Sequence, residues 1–168
     1  WFDIFGAGSE NRFILDGVIW DSPLGIISFN YNNRGSSNRV EVINGGEIKA
    51  KGFIVGYNVE STRGNVLYIG EDSCLSVTSE VEKAVAVMGA DNRIVVSNGT
   101  IKADIDYKSI MGVSEIVSSA RESNVGEGNA VVLQGTKPKI HFPSGTLRFA
   151  DKAVLRFELD KAGYEAVP

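Results

Sequence analysis

Asn38-Arg39-Val40-Glu41-Val42-Ile43-Asn44-Gly45-Gly46-Glu47-Ile48-Lys49-Ala50 decides the fold, because Asn92-Arg93-Ile94-Val95-Val96-Ser97-Asn98-Gly99-Thr100-Ile101-Lys102-Ala103 repeats its pattern further along the chain. Each stretch reads asparagine, two apolar residues at alternate positions, a turn, then a second alternating pair. Alternation with period two puts Val40 and Val42 on one side of a short strand and Glu41 on the other. The Asn-Gly turns supply residues that accept positive φ. Working outward, Asn11, Asn38, Asn65 and Asn92 stand 27 residues apart (38−11, 65−38, 92−65), and a fifth copy, Asn129, follows after 37 (129−92). The residues two and four places after each copy are apolar every time: Phe13 and Leu15, Val40 and Val42, Leu67 and Ile69, Ile94 and Val96, Val131 and Leu133. A period between ~20 and 50 residues marks a solenoid, propeller or array.

A second strand follows each turn, through Ile48 and Ala50 or Ile101 and Ala103. A third is suggested by Gly25-Ile26-Ile27-Ser28-Phe29-Asn30-Tyr31 and Gly52-Phe53-Ile54-Val55-Gly56-Tyr57, also 27 apart (52−25). A coil of this length has a contour near ~90 Å, enough for three strands around a filled interior, and each stacked coil adds ~4.8 Å. The expected fold is therefore all-β, a single-stranded parallel β-helix of about five 27-residue coils with three strands per coil. A leucine-rich repeat has an overlapping period, but Val and Ile dominate the inward positions and no copy holds an amphipathic helix. The recurring asparagine has a physical reason: its amide both donates and accepts, so stacked copies can satisfy one another. It also tolerates left-handed backbone, which makes it a turn former as well.

The chain has 168 residues, 43% of them hydrophobic, enough for one continuous core. One domain is expected: residues 1–10 as an N-terminal cap with Trp1, Phe2, Ile4 and Phe5 over the first coil, 11–142 as coils, and 143–168 as a C-terminal β segment. The absence of an initial Met, of a leader and of an evident final cap reads as a piece of a longer protein. A net charge of −4 argues against nucleic acid as a partner, and no apolar run is long enough to insert in a membrane. Cys74 is the single cysteine, which excludes an internal disulfide and a cysteine metal cluster and suits a small, inert packing residue. Gly6-Ala7-Gly8 resembles the start of a dinucleotide loop only superficially, because Asn11 stands where the third glycine would; it reads as a turn.

The lengthened interval places ten surplus residues between Asp104 and Gly128, expected to leave the coil as a loop at about 105–128. Ser114 to Arg121 could form a short helix there behind a serine N-cap. Beside this loop, Asp104, Asp106, Tyr107 and Lys108, with Arg121 within it, are the candidate ligand-face residues. Carboxylates two apart on a strand share a face and could hold Ca²⁺ or act as an acid/base pair; the alternative is a solvated strand end. Arg12, Arg39 and Arg93 each follow a repeat asparagine and project outward, to pair with acids such as Glu10 and Glu41 or to offer a basic stripe to an anionic glycan. His141, the sole histidine, has outward parity between Ile140 and Phe142 and reads as a surface residue. No catalytic residue and no cofactor site is assigned.

The pattern Asn, any, Val/Ile, any, Val/Ile, then Gly, any, Ile, any, Ala, from Asn11 to Ile140, resembles right-handed β-helix proteins of the pectin-lyase-like class. The stretches from Asn38 and from Asn92 are similar to repeats in bacterial surface proteins, notably autotransporter adhesin passenger domains. The segment from Gly145 to Asp160 resembles the β-rich region with which such passengers end. The resemblance implies an extracellular or cell-surface setting and adhesion to a glycan or a protein through one side of the solenoid. The enzymes of the class cut polysaccharides with clustered acids and a basic residue; no matching group is found here. A non-catalytic structural or adhesive module is thus the first expectation and a fragment of a polysaccharide lyase or glycoside hydrolase the second. A trimeric virion fibre domain is the third.

Overall fold

The computed structural model describes residues 2–5, 8–29, 35–56, 62–78, 85–103, 110–113, 127–142, 146–149 and 152–158. Among them every regular element is a strand, and every strand pairing is parallel. The chain is an all-β parallel solenoid whose strands fall into three ladders around one core.

The first ladder is a six-stranded sheet in which β2 (Arg12–Asp16), β4 (Arg39–Ile43), β6 (Val66–Ile69), β9 (Arg93–Ser97), β12 (Ala130–Gln134) and β15 (Val154–Glu158) stack in order. Its register matches the sequence repeat residue for residue: Phe13 beside Val40, Val40 beside Leu67, Leu67 beside Ile94, Ile94 beside Val131. The second and third ladders share a sheet because two long strands turn a corner between them. In β5 (Glu47–Val55), Glu47 to Ala50 pair with β7 (Cys74–Val77), whereas Phe53 to Val55 pair with β8 (Val85–Val87). β3 (Ile19–Phe29) does the same one coil earlier. β10 (Thr100–Ala103) and β13 (Lys139–His141) complete the second ladder. β1 (Phe2–Asp3), β11 (Ile110–Val113) and β14 (Thr146–Phe149) belong to the third. Three strands per coil follow directly, and the described asparagines enclose about four turns rather than five, because Asn129 opens its coil instead of closing one.

The core is the set of inward ladder positions. Val40, Val42, Leu67, Ile69, Ile94, Val96 and Val131 are fully buried, as are Ile48, Leu75 and Ile101 on the second ladder and Ile27, Phe29, Phe53, Val55, Val85 and Val87 on the third. Each such side chain removed from water contributes roughly 1.5–3 kcal/mol before the entropy of ordering it. Phe29 meets Phe53 edge-on with centroids 5.4 Å apart, and Phe5 meets Phe29 at 5.5 Å, so the expected cap joins the aromatic stack. Trp1 lies outside the described residues. The cap is partial: Phe2, Phe13, Ile19 and Trp20 line an open apolar recess of about 560 Å³ at this end. At the other end Leu155 and Phe157, which stand at inward positions, are exposed.

Two expectations are corrected. The third strand is offset by 26, not 27, since Ile27 pairs with Phe53. The first coil carries three residues between Ser22 and Ile26 where the second has Lys51 alone between Ala50 and Gly52, and the surplus swells outward as an irregularity in which Leu24 is 91% exposed. Pro23 within it has no N–H to give to the ladder, which suits an irregular position. The repeat asparagines, moreover, are not left-handed. The residue before each one is: Glu10 (φ 59°), Ser37 (56°), Gly64 (67°), Asp91 (54°) and Gly128 (71°). The asparagine has to enter its strand, so the sharp corner falls one place earlier.

The constant period also conceals a compensated shift. Phe53 to Val85 is 32 residues (85−53), yet Val66 to Arg93 remains 27 (93−66). The third coil is thus longer before β8 and shorter after it. Met111 pairs with Val85, 26 residues away (111−85), while Arg93 to Ala130 is 37 (130−93). Relative to the coil before it, the added length therefore falls after Val113, within the expected span from Asp104 to Gly128. The helix expected at 114–121 lies outside the described residues. No described helix is long and apolar enough to cross a membrane.

Candidate functional site

Asp104, Asp106, Tyr107, Lys108 and Arg121 all lie outside the described residues, so the structure neither gathers nor separates them. What it does describe is the outer surface of the three ladders, and these surfaces differ.

On the first ladder Arg12 and Arg39 are engaged. Glu41 Oε1 and Oε2 accept from Arg12 Nε and Nη2, both at 2.7 Å, and Oε1 also accepts from Arg39 Nε at 2.6 Å. The hydrogen bonds from Arg12 hold the Glu41 carboxyl below the usual range against the opposing effect of burial, and the same contact raises Arg12. Arg39 also lies over the Tyr68 ring, 5.0 Å from its centroid. A free basic stripe is therefore absent at Arg12 and Arg39: one acid joins the first two coils. On the third ladder the outward residues Ile54, Ala86 and Met88 are buried as a second apolar cluster.

The second ladder presents an open polar groove. Its register aligns two outward rows: Glu47, Cys74, Thr100 and Lys139, and beside them Lys49, Ser76, Lys102 and His141. Outward parity on a strand that alternates with buried Ile48, Leu75 and Ile101 explains why these side chains all face one way. One depression of about 420 Å³ runs past Glu47, Lys49, Ser76, Lys102 and His141, and a second of about 320 Å³ past Cys74, Thr100, Lys102, Lys137 and Lys139. Lys102 belongs to both. Glu47 sits among its neighbours: Oε1 accepts from Ser76 Oγ at 2.6 Å and lies 3.8 Å from Lys102 Nζ, while Oε2 lies 3.7 Å from Lys49 Nζ. Asn98 Oδ1 accepts from the backbone N–H of Thr136 (2.8 Å) and Lys137 (2.9 Å), which fixes the turn carrying Lys137.

Cys74 faces outward here and does not fill the core, which corrects the packing role expected of it. It is half-buried, its Sγ 3.4 Å from Ser76 Oγ, and burial pushes the thiol pKa up, which disfavours the reactive thiolate. His141 is exposed on the groove, as its parity predicts. Of the turn expected at Gly6-Ala7-Gly8, Gly6 and Ala7 lie outside the described residues, and Gly8 donates its N–H to Phe5 O at 2.9 Å. Sequence reasoning passed over Lys49 and Lys102, although the signal was present: both occupy the middle of an Ile-Lys-Ala triplet on the second strand.

Comparison with protein-family models, with curated proteins and with solved structures gave no match.

Proposed function

We propose that this chain is a structural and adhesive module, a stiff solenoid that holds one polar side out to a glycan or protein ligand. The observation that carries the reading is the alignment of outward side chains from successive coils into one groove along a ladder whose core is continuous. Repeats that contact only their neighbours give a rod with a broad side surface, suited to an elongated ligand. An extracellular or cell-surface setting, the one implied by the resemblance to adhesin passengers, belongs to the same proposal. The fold by itself does not select it.

The test is a glycan and protein array run beside a polysaccharide-cleavage screen. Retention of a ligand without release of new chain ends supports the module. Release of chain ends would favour the alternative, a fragment of a polysaccharide lyase or glycoside hydrolase, and would overturn the non-catalytic reading.

A further inference from the structure

We infer that the groove on the second ladder is a binding site for a linear acidic polysaccharide, read through its carboxylate or sulfate groups; the inference rests on the adhesive reading above and narrows it to one surface and one ligand charge. The chain as a whole carries a net charge of −4. The groove reverses that sign: Lys49, Lys102, Lys137 and Lys139 line it against Glu47 and Asp72.

The protein's own Glu47 indicates what the groove accommodates. Its carboxylate is met by the Ser76 hydroxyl at 2.6 Å and by the ammonium groups of Lys49 and Lys102 at 3.7 and 3.8 Å. Those three donors come from three different coils and converge on one carboxylate. One coil further along, Lys139 stands beside Thr100 in register, and Lys137 is held next to it by Asn98. Among the described residues neither Lys137 nor Lys139 forms an ion pair, in contrast to Arg12, Arg39, Arg63, Lys152 and Arg156, which do. The second depression therefore repeats the lysine-and-hydroxyl setting of the first, with Thr100 in place of Ser76; Asp72 also lines it, but among the described residues it forms no ion pair with Lys102, Lys137 or Lys139. Coils advance ~4.8 Å each, so anionic groups repeating along a polymer laid parallel to the solenoid axis meet donors from successive coils. Lysine is a point-charge donor on a flexible stem and suits carboxylate and sulfate equally.

The experiment is isothermal titration of the protein with a heparin octasaccharide, and with the same octasaccharide after desulfation and carboxyl reduction. The acidic form is expected to bind, and the neutral form at least tenfold more weakly. Lys102→Gln and Lys139→Gln are each expected to weaken binding of the acidic form severalfold, and tenfold or more when combined, while Arg93→Gln, which removes one charge from the first ladder as either single variant does from the second, changes it less than twofold. Glu47→Gln, which releases Lys49 and Lys102 from their internal partner, is expected to tighten binding severalfold. Arg93, Lys102 and Lys139 are exposed and Glu47 is partly buried, and unchanged melting curves confirm that each variant folds. Equal binding of the neutral form, or equal weakening by Arg93→Gln, overturns the inference while leaving the adhesive reading intact. No binding of either octasaccharide overturns it too, and failure across the glycan and protein array as well overturns both.

Discussion

Asn92 Oδ1 accepts two hydrogen bonds from Asn65, one from its backbone N–H at 2.7 Å and one from its side-chain Nδ2 at 3.0 Å. The relation recurs up and down the stack. Asn38 Oδ1 accepts from the N–H of Asn11 (2.9 Å), Asn65 Oδ1 from that of Asn38 (3.0 Å), and Asn129 Oδ1 from that of Asn92 (2.9 Å). The Nδ2 groups then reach carbonyls at the preceding corner: Asn38 to Gly8, Asn92 to Thr62 and Met88, Asn129 to Gly89. Asn38, Asn65, Asn92 and Asn129 are fully buried, so the bonds among the inner rungs are made away from water, while those that reach Asn11 and Gly8 at the first coil are part-buried.

Removing a rung should cost more than the bond it makes. Asn65→Ala leaves the buried N–H of Asn38 without an acceptor, a penalty of about 1–3 kcal/mol on top of the lost side-chain bonds. Asn65→Asp keeps an acceptor but buries a charge against Asn92 Oδ1 and a carbonyl, and is expected to be worse. Urea denaturation reads both. Midpoints unchanged from the parent in both variants would refute the ladder as a source of stability.

The ladder stops at Asn129, because Ala153 occupies the next rung and has no amide oxygen to offer. Lys152, at φ 67°, keeps the left-handed corner that precedes each asparagine, so the backbone there is already set for one more copy. Ala153→Asn should therefore stabilise, by about 0.5–1.5 kcal/mol. A thermal melt lower than the parent's would show that the last rung is not built like the others.

Two left-handed glycines should respond differently to the same change. Gly45, at φ 78°, has open space where a Cβ would go, so Gly45→Ala bears only the backbone penalty of roughly 1–2 kcal/mol. Gly89, at φ 79°, would drive its Cβ into the Thr62 carbonyl oxygen and the Asn92 amide. Gly89→Ala should cost at least twice as much, measured by the same denaturation series. Equal losses would mean that the corner at Gly89 is not packed against the asparagine.

Stability should fall at acid pH through Glu41. Its carboxyl is depressed in the folded state, so the stability that it contributes is present above the unfolded carboxylate range, ~4.3 for glutamate, and is lost as pH drops through the lower folded value. Glu41→Gln is expected to melt below the parent at pH 6, with the gap closing towards pH 3. A gap that stays constant across that range would show that the two arginines contribute nothing through this carboxylate.

Deleting residues 1–10 removes Phe2 from Trp20 (5.0 Å between centroids) and Phe5 from Phe29, and bares the edge of β3 that β1 now pairs. Aggregation is the expected result, since an unpaired apolar edge recruits other chains. A truncated protein that stays monomeric by light scattering and melts with the parent would contradict it.

Much of this architecture could be read from the sequence because one residue type does one job at a fixed interval. The inward pairs from Val40 to Val131 are buried as their parity predicts, and only Phe13 and Leu133, in coils near the ends, are partly open. The left-handed corners escaped notice because Glu10, Ser37, Gly64, Asp91 and Gly128 share a backbone conformation and no chemistry. The longer third coil escaped because two opposite length changes restore the same period. The groove was only partly legible: the Ile-Lys-Ala triplets mark Lys49 and Lys102, but Ser76 and His141 share no motif with them, and only strand register makes the four neighbours.

The central claim is that buried asparagines bind successive coils into one continuous axis, and amide hydrogen exchange tests it most directly. The backbone N–H groups of Asn38, Asn65 and Asn92 should exchange only with global unfolding, as slowly as those of Val42 and Ile69 in the strands beside them. Exchange of the three asparagine amides as fast as that of exposed turn residues such as Gly45 would contradict it.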